Sequence, residues 1–270
     1  MTPFRLAVWG DPIAHSKSPA LHAAAYGVLG LEWEYGRSQV DVDGFASELN
    51  ALDESWRGLS LTMPLKESAF HAADATDSHA MSTGAVNTLL LGDRLLGFNT
   101  DVGGIVDALS EHAITQIESV RIIGAGATAA SALVAARELG VVRADIRARN
   151  PDRAGGLLAL GEHLGISVRA HSFDAQVDAA DLTIATLPSG TTLPDAVVAR
   201  LGAHGGPLFD AAYAPWPSAL AAGWGSAPVI SGLGMLLHQA VRQIRIFLHG
   251  DPLHVLADEE SVLRAMRAAL

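Results

Sequence analysis

The stretch Val120-Arg121-Ile122-Ile123-Gly124-Ala125-Gly126-Ala127-Thr128-Ala129 decides the fold class. Val120–Ile123 is a short apolar run that reads as a strand. Gly124 and Gly126 punctuate a turn, and Ala127–Leu139 reads as an Ala-rich helix stopped at Gly140. A glycine turn between a strand and a helix is the setting of a dinucleotide-binding unit. The first glycine makes the tight turn. The second lets a pyrophosphate approach the backbone at the helix N-terminus, and Ala129 permits close packing of helix on sheet.

The same alternation runs outward in both directions. Strands are expected at Arg5–Trp9, Trp33–Val40, Gly58–Leu61, Asp145–Ala148, Leu182–Ala185 and Leu208–Phe209. Helices are expected at Ser18–Leu29, Val42–Leu52, Asp152–Leu164, Leu233–Leu248 and Leu253–Leu270. Short apolar strands alternating with helices of this length imply βαβ units and parallel sheets, an α/β fold. Val86–Leu91 and Arg94–Phe98, around Gly92-Asp93, read instead as a hairpin at a domain edge.

Composition narrows the function classes. The 270 residues are 49% apolar and 17% charged, which excludes intrinsic disorder. The absence of cysteine excludes a disulfide scaffold, a thiol nucleophile and a cysteine-ligated zinc site. A net charge of −11 opposes binding to nucleic-acid backbones. The uncharged stretch Ala211–Val241 is long enough to span a membrane, but Pro215, Pro217, Pro228 and several glycines interrupt it, so it reads as buried α/β structure. The opening MTPFRLAVWG runs straight into a strand and carries no secretory signal. A soluble cytoplasmic protein is expected. The eleven histidines are scattered without a HExxH pattern, no metal site is expected, and no GxSxG elbow marks a serine hydrolase.

The choice of dinucleotide follows from the second strand of the unit. An NAD site carries an acid at that strand's tip. Asp145 lies 21 residues after Gly124, but at the expected start of the strand. The tip is Ala148-Arg149-Asn150, with Arg153 one turn later. Two arginines and no acid suit a ribose 2′-phosphate, and so NADP.

Four segments outside this unit carry chemistry. Gly10–Pro19 leaves the first strand and enters a helix, where Ser16, Ser18 and free N–H groups face an anion; Ser18 with Pro19 also reads as a simple N-cap. Gly58–Lys66 places Thr62 at a strand end and Lys66 at a helix start. There an ammonium opposes the helix dipole and is suited to proton transfer. Lys66 and Lys17 are the only lysines beside sixteen arginines. Gly84–Thr88 and Gly97–Asp101 contribute Asn87, a partner for hydroxyls, and Asp101 at a helix start, where capping is the alternative role. Ser231–Ala240 places Gln239 one turn into a helix.

Taken together, GDPIAHSKSP, LTMPLK, GAVNT, GFNTDVGG, the GAG turn with ARNPDRA, and GLGMLLHQ resemble the shikimate dehydrogenase family in order and spacing over nearly the whole chain. The resemblance implies an NADP-dependent, reversible reduction of 3-dehydroshikimate to shikimate, a step of aromatic amino-acid biosynthesis. It implies a substrate domain from residues 1–102 and 232–270 and a Rossmann-type NADP domain from residues 103–231. It implies Lys66 and Asp101 as the catalytic pair. Ser16, Ser18 and Tyr213 would hold the substrate carboxylate, and Thr62, Asn87 and Gln239 would read its hydroxyls. Gly124, Ala125, Gly126, Ala127, Arg149, Asn150, Arg153 and Gly232 would hold the cofactor. The assembly implied is a monomer or homodimer.

Departures from the family pattern are Ser60 for an Asn, Ala148 and Asn150 within an Asn-Arg-Thr pattern, Ala127 for a glycine, and Ser218 for a Thr. Two alternatives stay open. One is a quinate/shikimate dehydrogenase with broader substrate or NAD use, against which the arginine tip argues. The other is a non-catalytic module that binds NADP or shikimate, which loss of Lys66 or Asp101 would have favoured.

Overall fold

A computed structural model describes residues 3–270. The chain forms two compact units, one made of residues up to Gly104 with Leu236–Leu270, the other of Ile105–Met235. Each is built on a six-stranded sheet.

In chain order the first unit contains β1 (Arg5–Gly10), α1 (Ser18–Leu29), β2 (Glu34–Gln39), α2 (Val42–Asn50), β3 (Trp56–Leu61), α3 (Lys66–Ala72), β4 (Ala75–Thr76), α4 (Ser78–Thr83), β5 (Thr88–Leu90) and β6 (Leu96–Phe98). Helix α5 (Asp101–Ser110) leads out of it. The second unit contains β7 (Ser119–Ile123), α6 (Ala127–Glu138), β8 (Arg143–Arg147), a 3₁₀ turn (Pro151–Ala154), α7 (Gly155–Leu164), β9 (Ser167–His171), β10 (Leu182–Ala185), α8 (Asp195–Ala203), β11 (Leu208–Asp210), α9 (Ala219–Ala222) and β12 (Val229–Ser231). Helix α10 (Leu233–His249) re-enters the first unit, which α11 (Glu259–Ala268) completes. Both unit boundaries fall inside helices, where no turn residue marks them.

The first sheet runs β2-β1-β3-β5-β6-β4. β1 pairs in parallel with β2 and β3, whereas β5 is antiparallel to both β3 and β6. The alternation of strand side chains divides β1 between two cores. Leu6 packs with Leu21, Tyr26, Phe247 and Met266, the α1, α10 and α11 side. Ala7 and Trp9 pack with Phe45, Leu61 and Leu65, the α2 and α3 side. Val262 and Met266 lie four residues apart on one face of α11, and burial of each contributes about 2 kcal/mol.

The second sheet is entirely parallel, in the order β12-β11-β10-β7-β8-β9, the doubly wound arrangement of a Rossmann-type domain. Eight consecutive residues of α6, Ala129–Ala136, are buried, because small side chains let the helix lie close to the sheet. The fold is thus an N-terminal α/β substrate-type domain, a central Rossmann-type domain, and C-terminal helices that return to the first.

Several boundaries differ from the sequence reading. The hairpin exists, as the antiparallel pair β5 and β6, and β5 lies inside the sheet between β3 and β6. The last helix starts at Glu259, because Asp258 before it is left-handed, with φ +48°, which a right-handed helix cannot run through. Ser18 does not cap α1. It is the first helical residue, and its own N–H donates to Ser16 Oγ at 3.3 Å. Asp145 lies in the middle of β8, not at its start, because the strand already pairs from Arg143. Ala211–Val241 resolves into α9, β12 and the start of α10. Among the described residues no helix is long and apolar enough to cross a membrane.

Candidate active site

The end of β3 and the start of α5 bring the two expected catalytic side chains together. After Leu61 the chain turns through Thr62–Leu65, and the fully buried Leu65 anchors the turn so that Lys66 opens α3. Lys66 Nζ donates to Asp101 Oδ2 at 2.5 Å, with the two side chains 13% and 6% exposed. The other carboxylate oxygen, Oδ1, accepts from Asn87 Nδ2 at 2.8 Å. Asp101 opens α5, where its negative charge suits the helix N-terminus, and its carboxylate is engaged by Lys66 and Asn87.

A shell of short polar residues fixes this pair. Asn87 donates its second amide hydrogen to Thr100 Oγ1 at 2.9 Å, and its Oδ1 accepts from Thr100 N and Thr88 Oγ1. Asn99 Oδ1 accepts from Asp101 N, and Asn99 Nδ2 donates to Thr83 Oγ1. Asp77, the N-cap of α4, accepts from the N–H groups of Ala80 and Asn99. Burial raises its carboxyl pKa, against the pull of those two amides.

The other residues expected to hold substrate fall in both units, Ser16, Ser18, Thr62 and Gln239 in the first and Tyr213 in the second. Gly10 ends β1, and a Cβ there would stand 2.4 Å from Thr62 Cγ2 and 2.8 Å from Met63 O. Only glycine admits that approach, and it sets the loop carrying Ser16 and Ser18 off beside the Thr62–Lys66 turn. Asp11 N donates to Met63 O across the same contact. Thr62 is half-buried and Ser18 buried. Gln239, in α10, is 8% exposed, and its Nε2 donates to Leu236 O at 2.7 Å. Tyr213 belongs to the second unit, on the loop after β11, and burial raises its phenol pKa. In the same loop Ser218 caps α9 and donates to the buried Asp210 carboxylate at 2.5 Å. Burial raises the Asp210 pKa, opposed by that hydroxyl and by Ala212 N.

The second unit presents an open turn at the start of α6. Gly124 has φ +122°, and a Cβ on it would stand 2.4 Å from Thr186 Oγ1 at the end of β10. That makes Thr186 part of the same rim; sequence reading passed over it because a lone Thr after a strand carries no signal. Gly126 is the N-cap of α6, without a side-chain cap, and nothing lies within 4 Å of a Cβ built on it. Gly126 and Ala127 are exposed and Ala125 is half-buried, so the first N–H groups of α6 face open space. At the tip of β8, Arg149, Asn150 and Arg153 are exposed, and Asn150 Oδ1 accepts from Asp152 N to start the 3₁₀ turn. Gly232 lies against Ala211, whose carbonyl oxygen would be 2.2 Å from a Cβ.

Asp145 has a different task from the acid of an NAD site. Its Oδ2 accepts from Arg147 Nε at 2.8 Å and Arg121 Nε at 3.3 Å, and its Oδ1 meets His171 Nδ1 at 2.9 Å. Both guanidiniums are buried and donate further N–H groups to backbone carbonyls, among them Ala175 and Gln176 in a loop and Leu201 in α8. Arg147, one of the six arginines between 137 and 169, is therefore structural. An open helix N-terminus beside two exposed guanidiniums, with no carboxylate at the β8 tip, fits a dinucleotide with an additional phosphate.

Comparison with known proteins identifies the family. The family described as shikimate dehydrogenase substrate binding domain matches residues 8–89. Shikimate dehydrogenase (NADP(+)) of Thermus thermophilus is 35% identical over 98% of this chain and 98% of its own length. This chain belongs to the shikimate dehydrogenase family. A second member of that family, from Methanothermobacter thermautotrophicus, is 33% identical over 93% of both chains. Among solved structures, the shikimate dehydrogenase of Mycobacterium tuberculosis superposes with a TM-score of 0.83 at 37% identity, covering 98% of this chain and 100% of that one. The Thermus thermophilus enzyme, in complex with NADP(H) and shikimate, gives a TM-score of 0.81 at 32% identity, covering 99% and 100%.

Proposed function

We propose that the chain catalyses the reversible, NADP-dependent reduction of 3-dehydroshikimate to shikimate, a step of aromatic amino-acid biosynthesis. The observation that carries the proposal is the Lys66–Asp101 pair, an ammonium at 2.5 Å from a carboxylate that is itself held by Asn87. Bound NADPH supplies the hydride. Lys66 Nζ supplies the proton to the carbonyl oxygen as it becomes an alkoxide, and takes it back in the oxidation. Asp101 keeps Lys66 aimed and balances its charge.

Ser16 and Ser18 hold the substrate carboxylate through hydroxyls. Thr62 and Gln239 read ring hydroxyls, Gln239 through Oε1, since its Nε2 is on Leu236 O. Asn87 has both amide hydrogens committed, so it contacts a hydroxyl by exchanging its Thr100 bond and keeping Asp101. Gly124, Ala125, Gly126, Ala127 and Gly232 let backbone approach the cofactor. Arg149, Arg153 and Asn150 hold its adenosine end, with the guanidiniums on the 2′-phosphate.

The test is absorbance of reduced nicotinamide with shikimate or quinate, each with NADP or NAD. Reduction confined to shikimate with NADP is expected. Comparable rates with quinate or NAD would move the reading to a broader dehydrogenase. Silence in all four mixtures, from folded protein that binds NADP, would leave a binding module.

A further inference from the structure

Behind the candidate catalytic pair, the first unit holds a chain of buried polar side chains that ordinary core packing does not require. Gln243, His22 and Ser60 are 2%, 0% and 3% exposed, and each lies among apolar residues. Gln243 stands one helical turn after Gln239 on α10. Its Nε2 donates to the backbone carbonyl of Asn87 at 3.3 Å. A carbonyl can only accept, so this contact fixes the orientation of the Gln243 amide. Its Oε1 then accepts twice, from Ser60 Oγ at 2.8 Å and from His22 Nε2 at 3.4 Å.

The remaining protons follow. Tyr35 O–H donates to Ser60 Oγ at 2.6 Å, which leaves the serine proton for Gln243. With its hydrogen on Nε2, His22 accepts at Nδ1 from Tyr26 O–H at 3.1 Å. The His22 ring also stacks on Tyr35, with centroids 3.8 Å apart. One arrangement of protons accounts for all of these bonds, and every bond in it points toward Gln243 and through it to Asn87. The carbonyl of Asn87 also accepts from Leu61 N at 2.7 Å, at the end of β3 that leads to Thr62 and Lys66.

Resting on the dehydrogenase reading above, we infer that Gln243 is a positioning residue for the reaction. It ties α10, which carries Gln239, to the strand end that leads to Lys66 and to Asn87, which holds Asp101. Gln243 touches neither substrate nor cofactor. It sets the register among three elements whose side chains must converge within a fraction of an ångström. Ser60, where the family pattern has Asn, belongs to this arrangement: a hydroxyl both accepts from Tyr35 and donates to Gln243.

The test uses the full chain with Gln243→Leu and Gln243→Glu. Gln243→Leu is expected to lower kcat with shikimate by on the order of 10²-fold while the NADP KM stays within about twofold. Gln243→Glu is the conservative rescue. As a neutral acid its O–H donates to Asn87 O and its carbonyl accepts from Ser60 and His22. Ionised, it turns a negative oxygen on the Asn87 carbonyl. Its activity should therefore approach that of the unmodified protein at the acid end of the profile and fall as pH rises, an ionisation absent from the unmodified protein and from Gln243→Leu.

The nitrogen-15 resonances of the Asn87 side-chain amide give a readout that needs no substrate. They should be sharp and protected in the unmodified protein and broadened in Gln243→Leu, with the amides of β7–β12 unmoved. A Gln243→Leu protein with kcat within about twofold and an unchanged Asn87 amide would overturn the inference. A Gln243→Glu profile parallel to that of the unmodified protein would overturn it too, and that profile decides alone if Gln243→Leu does not fold. If the unmodified protein is inactive with shikimate and NADP, the dehydrogenase reading fails, and the Asn87 amide decides the positioning claim separately.

Discussion

Lys66 Nζ lies 2.5 Å from Asp101 Oδ2, and the two residues are 35 positions apart in the chain. Each opens a helix, α3 and α5, so the carboxylate sits where a helix favours it and the ammonium where a helix does not. The carboxylate offsets that cost, and the ammonium stays directed toward whatever oxygen approaches Asp101.

Replacing Lys66 with Ala removes the proton donor and little of the binding surface. Turnover of shikimate with NADP should fall by about 10²- to 10⁴-fold, while shikimate affinity by calorimetry stays within about threefold. Normal turnover in this variant would remove Lys66 from the chemistry.

Arg149 is exposed at the tip of β8 and free of the buried Asp145 network. Arg149→Ala should raise the NADP KM about tenfold or more and leave the NAD KM nearly unchanged, as expected for loss of a charge-assisted bond to a phosphate. Steady-state kinetics with both cofactors checks this. An equal rise for the two would refute the 2′-phosphate contact.

Asp145→Ala should behave in the opposite way. Arg121 and Arg147 would be left buried side by side without their shared carboxylate, a loss of about 3–5 kcal/mol. Burial already lowers the pKa of Arg121, with Asp145 opposing that shift. Urea denaturation should show the lowered midpoint, and the surviving folded protein should keep its NADP-to-NAD ratio. A changed ratio would return Asp145 to the cofactor site.

His22 predicts a pH dependence of stability. Burial lowers its pKa from 6.5 to about 3, so the unfolded chain binds the proton more readily between those values. The contribution is complete above pH 6.5 and is lost as pH falls toward 3, by up to about 1.4 kcal/mol per pH unit. His22→Leu removes this proton uptake. Melting temperatures recorded from pH 7 down to pH 4 should therefore fall less steeply in the variant. Parallel curves for the two proteins would contradict the buried neutral imidazole.

Much of this was legible in the chain. The bounds of α1 and β10 are the expected ones, because a Pro-started, Gly-stopped helix and an all-apolar strand announce themselves locally. The turn at Gly124 was legible for the same reason: positive φ is demanded at one residue, and glycine meets it. Lys66 and Asp101 stood out as charged residues at helix starts. Position along β8 was not legible, since a strand beginning with a charged Arg143 has no apolar mark at its edge, and Asp145 was placed at the start instead of the middle. Ser18 was read as a cap because its type and the following Pro19 suit one. The helix starts a residue earlier than that role allows.

His22, Gln243, Arg121 and Arg147 gave no functional signal at all. Their types are ordinary on an exposed helix or strand, and burial is what makes them consequential.

The sequence by itself determined the alternation of strands and helices, the dinucleotide turn, the arginine tip, and which residue types could do acid–base chemistry. These are properties of neighbours along the chain, set by periodicity, turn geometry and helix ends. Tertiary structure alone decided that Asn87 holds Asp101, that Gln243 reaches Asn87 across 156 residues, and that Asp145 serves two buried arginines rather than a ribose. A hydrogen bond depends on distance and direction to within a few tenths of an ångström, and residues far apart in the chain acquire that precision only when the sheets and helices between them have packed.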